Sequence, residues 1–212
     1  KVMGAFFEEV VDTTQKTGGS LVIHASEKKN NSSKNFKELS ANRYSVRNYL
    51  DKQVDEKDIR EVVEIAQKSP SACNRQQARV YYMTDKEVID RILGIQGTLN
   101  DYPTPPLLFL ITATDDAYLF DTEKNNGYID GSLFAMSLLY ALEYKGIGAC
   151  PLHTMFTEDT CREVMNLRNI PENEKLIMFI SAGYFEKEIL ACKSYRYPVD
   201  YILHRVTRLT SS

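Results

Sequence analysis

Apolar and polar residues follow two periods along this chain, one typical of helices and the other typical of strands. The predicted helices cover residues 2–15, 36–42, 56–68, 87–93, 127–145 and 158–167. The predicted strands cover residues 20–24, 80–84, 107–112 and 176–180. Asp55 stands where a cap is expected for the helix over 56–68. The order of these elements predicts an α+β layered domain.

Two of the predicted elements have no polar side. The strand over 107–112 is apolar throughout its central part, which is typical of a strand buried on both faces. The helix over 127–145 carries apolar residues all round, so we expect it in the core or at a subunit interface. Gly146-Ile147-Gly148 ends this helix in the manner of a glycine C-cap.

The chain is long enough for one good core with a small appendage, at 212 residues. Residues 27–35 are polar and rich in turn-forming types, so we predict a linker there. The predicted domains are therefore residues 1–34, an N-terminal extension or the remnant of an upstream segment, and residues 35–212, the main domain.

Composition and charge narrow the possible classes of function. A hydrophobic content of 43% and a charged content of 26% are ordinary for a globular domain. A net charge of -3 argues against a general nucleic-acid binder, so any phosphate site must be a focused cluster of cations. The longest apolar run, 105–111, is too short to span a bilayer, and residues 2–11 do not form a secretory signal.

Cysteine and histidine spacing gives no metal site. The four cysteines lie far apart without a C-x-x-C pair, and the three histidines show no metal-ligand spacing. Sparse cysteines of this kind are typical of a reducing compartment, so a cytoplasmic location is expected. Neither a phosphate-loop motif nor a G-x-G-x-x-G fingerprint occurs.

The segment Arg43-Tyr44-Ser45-Val46-Arg47 is the first candidate for ligand binding. In an extended stretch, alternate residues point to one side, so Arg43, Ser45 and Arg47 would converge. Two guanidinium groups at one place bind a phosphate well. The alternative is that these are two ordinary surface arginines near a helix end.

The segment Ser69-Pro70-Ser71-Ala72-Cys73-Asn74-Arg75-Gln76 follows a predicted helix and is the second candidate. The amides of Asn74 and Gln76 both donate and accept hydrogen bonds, which suits ribityl hydroxyls or the edge of a heterocycle. The alternative is a turn that uses Ser, Asn and Pro for backbone reasons. Residues 146–153 and the basic segment 193–196 are further candidates, each with an equally simple structural explanation.

Taken together, these segments resemble the FMN-dependent nitroreductase family over roughly residues 35–205. The resemblance rests on the order of five short patterns. They are Arg-x-Ser-x-Arg from Arg43, Pro-Ser-x-x-Asn-x-Gln from Pro70, Gly-x-Gly-x-x-Pro from Gly146, Ala182-Gly183-Tyr184, and Lys-x-x-Arg from Lys193 followed by Pro198. Gln77-Ala78 departs from the family, because many members have Pro-Trp there.

The resemblance implies a layered α+β fold with a central, mostly antiparallel sheet flanked by helices, in an intertwined homodimer that binds FMN. It implies that Arg43, Tyr44, Ser45 and Arg47 hold the phosphate and ribityl end, and that Lys193 and Arg196 complete a phosphate clamp. The remaining implied residues line the flavin, and the serine with its neighbours comes from the partner subunit. They are Pro70, Ser71, Ala72, Asn74, Gln76, Pro151, Leu152 and His153.

The implied function is an FMN oxidoreductase in which NAD(P)H reduces the flavin and a nitroaromatic, quinone or related planar electrophile then takes the electrons. Alternation at one site predicts ping-pong kinetics. FMN carries the redox chemistry, so no residue of the chain is assigned a catalytic role. Two alternatives stay open: a flavoenzyme of the same fold that acts on one specific metabolite by dehydrogenation, dehalogenation or flavin breakdown, and a non-catalytic flavin-binding or interaction module.

Overall fold

The computed structural model describes residues 19–166 and 170–206, except for the side chain of Asp121. The helix predicted over 2–15 lies outside the described residues. The described chain falls into two compact units. Residues 22–191 belong to the larger unit, and 19–21 with 192–206 belong to the smaller one.

The larger unit contains most of the helices and strands. The helices are α1 (Ala25–Lys28), α2 (Phe36–Asn42), α3 (Glu56–Ala66), α4 (Lys86–Gln96), α5 (Asn126–Tyr144) and α6 (Glu158–Asn166). The strands are β1 (Ser20–His24), β2 (Ala78–Met83), β3 (Leu107–Thr114), β4 (Ile147–Leu152), β5 (Glu174–Tyr184) and β6 (Glu188–Cys192). The first two residues of β1 and the last residue of β6 belong to the smaller unit. A short helix, α7 (Val199–Ile202), follows in the smaller unit.

Every helix and strand predicted within the described residues is present, with ends that differ by a few residues. The expected cap at Asp55 is wrong in its chemistry, because the Asp55 side chain makes no capping hydrogen bond. Its carboxylate instead accepts from the Tyr184 hydroxyl at 3.3 Å. True side-chain caps occur at Asn35 on α2 and Asp85 on α4, each accepting from a backbone N–H three residues later.

Four antiparallel strands form the main sheet in the order β2-β3-β5-β4, and β1 pairs with β6 in a separate two-stranded sheet. All eight residues of β3 are buried, which confirms the prediction of a strand covered on both faces. Helices α3 and α5 cover one face of the main sheet, and α4 and α6 contribute to the core on the other. The predicted layered α+β fold is confirmed.

Helix α5 lies at the centre of one layer but has two apolar sides. Its inner side packs Leu138 and Leu142 against the sheet, where both are fully buried. On its outer side, Ile129 and Leu133 are 56% and 44% exposed. The apolar character seen all round this helix thus serves the core on one side and leaves an exposed apolar surface on the other.

The predicted linker contains a more ordered segment than its composition suggests. Residues 25–28 form α1, a 3-10 turn follows over Asn31–Ser33, and Lys28 and Asn31 are buried. The division into 1–34 and 35–212 stays a prediction. No helix in the described ranges has the length and apolar character needed to cross a membrane.

Two glycines in helices provide a test of how tightly α5 packs on the sheet. A Cβ at Gly131 would lie 2.8 Å from Ile177 Cγ1, whereas a Cβ at Gly94 in α4 would meet nothing within 4 Å. Both replacements by Ala gain up to about 1 kcal/mol of helix propensity. For Gly131→Ala the overpacking against β5 costs about 1–3 kcal/mol, so we expect net destabilisation, while Gly94→Ala is stabilising. Urea unfolding of both variants checks this, and a stabilised Gly131→Ala protein would contradict the packing described.

Candidate functional site

The segment Arg43–Arg47 runs along strand β4. Val46 N donates to Ala149 O at 2.9 Å, and Ser45 forms a parallel bridge with Ala149. The Val46 side chain is buried and fits over Gly148, where a Cβ would lie only 3.1 Å from Val46 Cγ1. Because Val46 points inward, its neighbours Ser45 and Arg47 stay half-buried at the surface, as do Arg43 and Tyr44.

Tyr49 fixes this segment from inside the fold. Its hydroxyl lies 2.5 Å from Val46 O, to which it donates, and 2.8 Å from Ser181 Oγ on β5. Burial raises the pKa of Tyr49 far above its usual value, so the hydroxyl keeps its proton and remains a donor. The backbone between Arg43 and Arg47 is therefore held by both β4 and β5.

The arginines of the two motifs differ in their electrostatic partners. Arg75 Nη1 lies 2.9 Å from Glu123 Oε2, and this pair raises the pKa of Arg75 and lowers the pKa of Glu123. Among the described residues, no carboxylate forms an ion pair with Arg43 or Arg47. Two uncompensated, half-buried guanidinium groups on either side of Ser45 are suited to an anion.

The second motif forms a turn with an unusual backbone. Cys73, Asn74 and Gln76 have φ values of 53°, 55° and 51°, in the left-handed region that residues other than glycine seldom occupy. Within the turn, Gln76 N donates to Ser71 Oγ at 2.9 Å. Pro70, Asn74 and Gln76 are exposed, so their side chains are accessible from outside.

Asp130 of α5 holds this turn and was not found by the sequence analysis. Its Oδ2 accepts from Ala72 N at 2.9 Å and from Gln77 Nε2 at 2.6 Å, and Asp130 is only 6% exposed. These contacts compensate for the backbone strain of the left-handed residues. A single carboxylate in an otherwise apolar stretch of a central helix is the signal that could have indicated it.

The end of β4 provides a third group of predicted residues. Pro151 is half-buried and His153 is exposed, but the Leu152 side chain is buried in the core layer that contains Phe179. Leu152 can therefore reach a ligand only through its backbone. The buried Gln96 donates from Nε2 to His153 O at 3.2 Å, and sequence reasoning missed this support as well.

The arginine segment 43–47 and the end of β4 lie together, but the 70–76 turn lies across the sheet. Strand register places Leu152 opposite Phe179, while Ala78, at the start of β2, aligns through Ala113 with Lys175. The end of β4 and the start of β2 are thus on opposite edges of the sheet and are offset by four residues along β5, from Phe179 to Lys175. Strands β3 and β5 lie between them, so the distance across the strands alone is three spacings, roughly 14 Å at about 4.8 Å each.

Two cavities accompany these groups. One, of 360 Å³, adjoins the turn and is lined by Ser71, Gln76, Gln77, Asp130 and Phe134, among others. The other, of 660 Å³, is an open apolar groove on the outer side of α2, α3 and α5. Its lining includes Phe36, Leu39, Ile65, Tyr140 and Tyr144.

The predicted basic pair of the clamp belongs to the smaller unit. Lys193 N donates to Gly19 O at 3.1 Å, and the Arg196 guanidinium donates to the carbonyl of Ser194. The Arg196 side chain is exposed. Its participation with Lys193 in a phosphate site stays a prediction. In the part of the chain that the structure describes, no group of three or more His, Cys, Asp or Glu residues could hold a metal ion.

Comparison with known proteins adds to this geometry. The sequence model of the nitroreductase family matches residues 41–128, which include both candidate motifs. A relative from Archaeoglobus fulgidus, whose name includes NAD(P)H nitroreductase, is 26% identical over 146 residues, covering 69% of this chain and 83% of the relative. The FMN reductase [NAD(P)H] of Bacillus subtilis is 24% identical over 180 residues, covering 78% of this chain and 71% of the relative.

A solved structure agrees with the sequence relatives. The nitroreductase family protein cd3355 from Clostridium difficile 630 superposes with a TM-score of 0.69 at 25% identity. The match covers 82% of this chain and 100% of that chain. The matched family region, the shared fold and the two motifs agree: residues 41–128 match the nitroreductase family model, and the chain has the fold of a nitroreductase family protein.

Proposed function

We propose that this protein is an FMN-dependent oxidoreductase that takes electrons from NAD(P)H and passes them to a nitroaromatic, quinone or related planar electrophile. The match of residues 41–128 to the nitroreductase family model and the name of the B. subtilis relative support this proposal. The observation that carries it is the pair of uncompensated, half-buried arginines along β4. A cytoplasmic location and a homodimeric state are parts of the same proposal.

The residues along β4 fit the phosphate end of FMN. A phosphate monoester carries a charge of about −1.5 to −2 at neutral pH. Arg43 and Arg47 offer two guanidinium groups, and Ser45 between them adds a hydroxyl donor. Since no described carboxylate pairs with either arginine, a phosphate would not have to displace an existing partner.

The 70–76 turn and the end of β4 fit the remainder of FMN. Asn74 and Gln76 present exposed amides on a backbone that Asp130 holds, so they can bond the polar edge of a heterocycle without rearrangement. Gln96 fixes the His153 carbonyl and so orients the peptide at the end of β4. When bound, FMN supplies the redox chemistry, and these residues bind and orient it.

A second copy of the chain would complete the site. In one copy the arginine segment and the 70–76 turn flank opposite edges of the sheet, with β3 and β5 between them. The exposed apolar side of α5, with Ile129 and Leu133, and the groove beside Phe36 need a cover that excludes water. A homodimer packed through this surface would bring the turn of one copy to β4 of the other.

The first test is flavin binding by the purified protein. We expect it to take up FMN with the visible absorption of a bound flavin, and Arg47→Ala to raise the FMN Kd by about 10- to 100-fold, since a hydrogen bond to a charged group contributes about 1.5–3 kcal/mol. Arg162→Ala is the control, because that arginine is exposed on α6 and pairs with Asp159. Fluorescence titration of the apoprotein measures the FMN Kd of the wild type and of both variants. Wild-type protein that binds no FMN would refute the proposal.

The second test asks whether each site needs two copies. Arg47→Ala damages the β4 half, and Asn74→Gly with Gln76→Gly removes both amides while keeping the positive φ values that glycine tolerates. Chains with different tags are produced together, and the species carrying both tags is isolated. We expect one FMN per mixed dimer, because one of its two sites has both halves intact. A dimer of either variant alone has no site with both halves intact.

The control for this experiment is a mixed dimer in which both tagged chains carry Arg47→Ala, which should retain no FMN. Mixed dimers of the two different variants that also retain no FMN would show that each site is built within one chain. Protein that stays monomeric at micromolar concentration would contradict the homodimer itself.

A further inference from the structure

A buried polar cluster connects the segment before α2 with the end of α5. Lys28, Asn31 and Glu143 are only 5%, 1% and 3% exposed. Lys28 Nζ lies 2.6 Å from Glu143 Oε1, and Asn31 Nδ2 donates to Glu143 Oε1 at 2.9 Å and to Glu143 O at 2.6 Å. Glu143 O also accepts from Gly146 N at 2.9 Å, so Asn31 adds a second hydrogen bond to a carbonyl in the last turn of α5.

Lys28 makes a second contact that leads directly to the arginine segment. Its Nζ donates to Asn42 O at 2.5 Å, and Asn42 is the last residue of α2, immediately before Arg43. The start of the segment is therefore tied to the Lys28 ammonium.

The same cluster also fixes the strand against which the arginine segment runs. The carbonyl of Lys28 lies 3.2 Å from where a Cβ at Gly146 would be, so the chain passes close to the turn between α5 and β4. Glu143 lies in the last turn of α5, and β4 begins four residues later. Both the first residue of the segment and its partner strand are thus anchored at one place.

The Lys28 ammonium holds the backbone before Arg43 in place and does not offer its charge to the ligand. It is almost completely buried, Glu143 neutralises it, and the Phe185 ring lies 5.3 Å from it. A buried ion pair adds little stability compared with apolar residues of similar size. An apolar side chain at residue 28 could not, however, hold the carbonyl of Asn42.

We propose that Lys28, supported by Asn31 and Glu143, is a positioning residue that sets Arg43 and Arg47 for the phosphate of FMN. This inference rests on the proposed function. Lys28 lies ahead of residue 41, where the match to the nitroreductase family begins. The phosphate site of this chain is therefore supported from a segment outside the matched region.

The test compares FMN with riboflavin, which lacks the phosphate, by fluorescence titration of the apoprotein. The wild type should bind FMN more tightly than riboflavin, and Lys28→Met should reduce this preference by about tenfold, as expected for one lost hydrogen bond to a charged group. A loss of general stability would weaken both flavins equally and leave their ratio unchanged. Lys29→Met is the matched control, because it removes the same charge from an exposed neighbour.

A second variant keeps the test decisive if Lys28→Met does not fold. Lys28→Met with Glu143→Gln removes both buried charges, so the fold is retained while the bond to Asn42 O is still lost. A reduced preference for FMN in this variant supports the proposal, and a preference equal to that of wild type overturns it. If the wild type itself shows no preference for FMN, the arginine site of the proposed function fails, and the positioning role fails with it.

Discussion

The order in which four antiparallel strands pair, β2-β3-β5-β4, determines where each candidate ligand group can lie. The 70–76 turn leads into β2 at one edge, and the arginine segment covers β4 at the other. The fully buried β3 and the long β5 lie between the two edges and are covered by helices on both faces. No local rearrangement can bring the two groups together without unfolding this core. The proposal that the site is divided between two copies rests on this constraint.

Electrostatics within this frame distinguishes residues that look alike in sequence. Arg75 is neutralised by Glu123, and Lys28 by Glu143, so the charge of these cations is already compensated within the fold. Arg43 and Arg47 have no such partner among the described residues, although the whole chain carries a net charge of -3. A local excess of positive charge on a mildly acidic protein is what a focused phosphate site requires.

The sequence was sufficient where short-range patterns decide the structure. The apolar run of β3, the helix over 36–42 and the glycine end of α5 all depend on neighbouring residues, and they were predicted with nearly correct bounds. The Arg-x-Ser-x-Arg and Pro-Ser-x-x-Asn-x-Gln patterns could also be recognised from local order. Their placement on opposite edges could not, because it depends on strand pairing over long distances in sequence.

The supporting residues were missed for the same reason. Asp130 is 58 residues from the Ala72 amide that it holds, and Lys28 is 115 residues from Glu143. A polar composition made residues 27–35 look like a linker, yet Lys28 and Asn31 are buried there because Glu143 meets them from α5. Asp55 shows the opposite case, since a residue type well suited to capping bonds Tyr184 instead.

The most direct measurement of the central claim is a crystal structure of the protein with FMN bound. The account predicts two copies packed through the outer side of α5, with each FMN in contact with Arg47 of one copy and Asn74 of the other. An FMN that contacts Arg47 and Asn74 of the same copy, or that binds away from both, would contradict it.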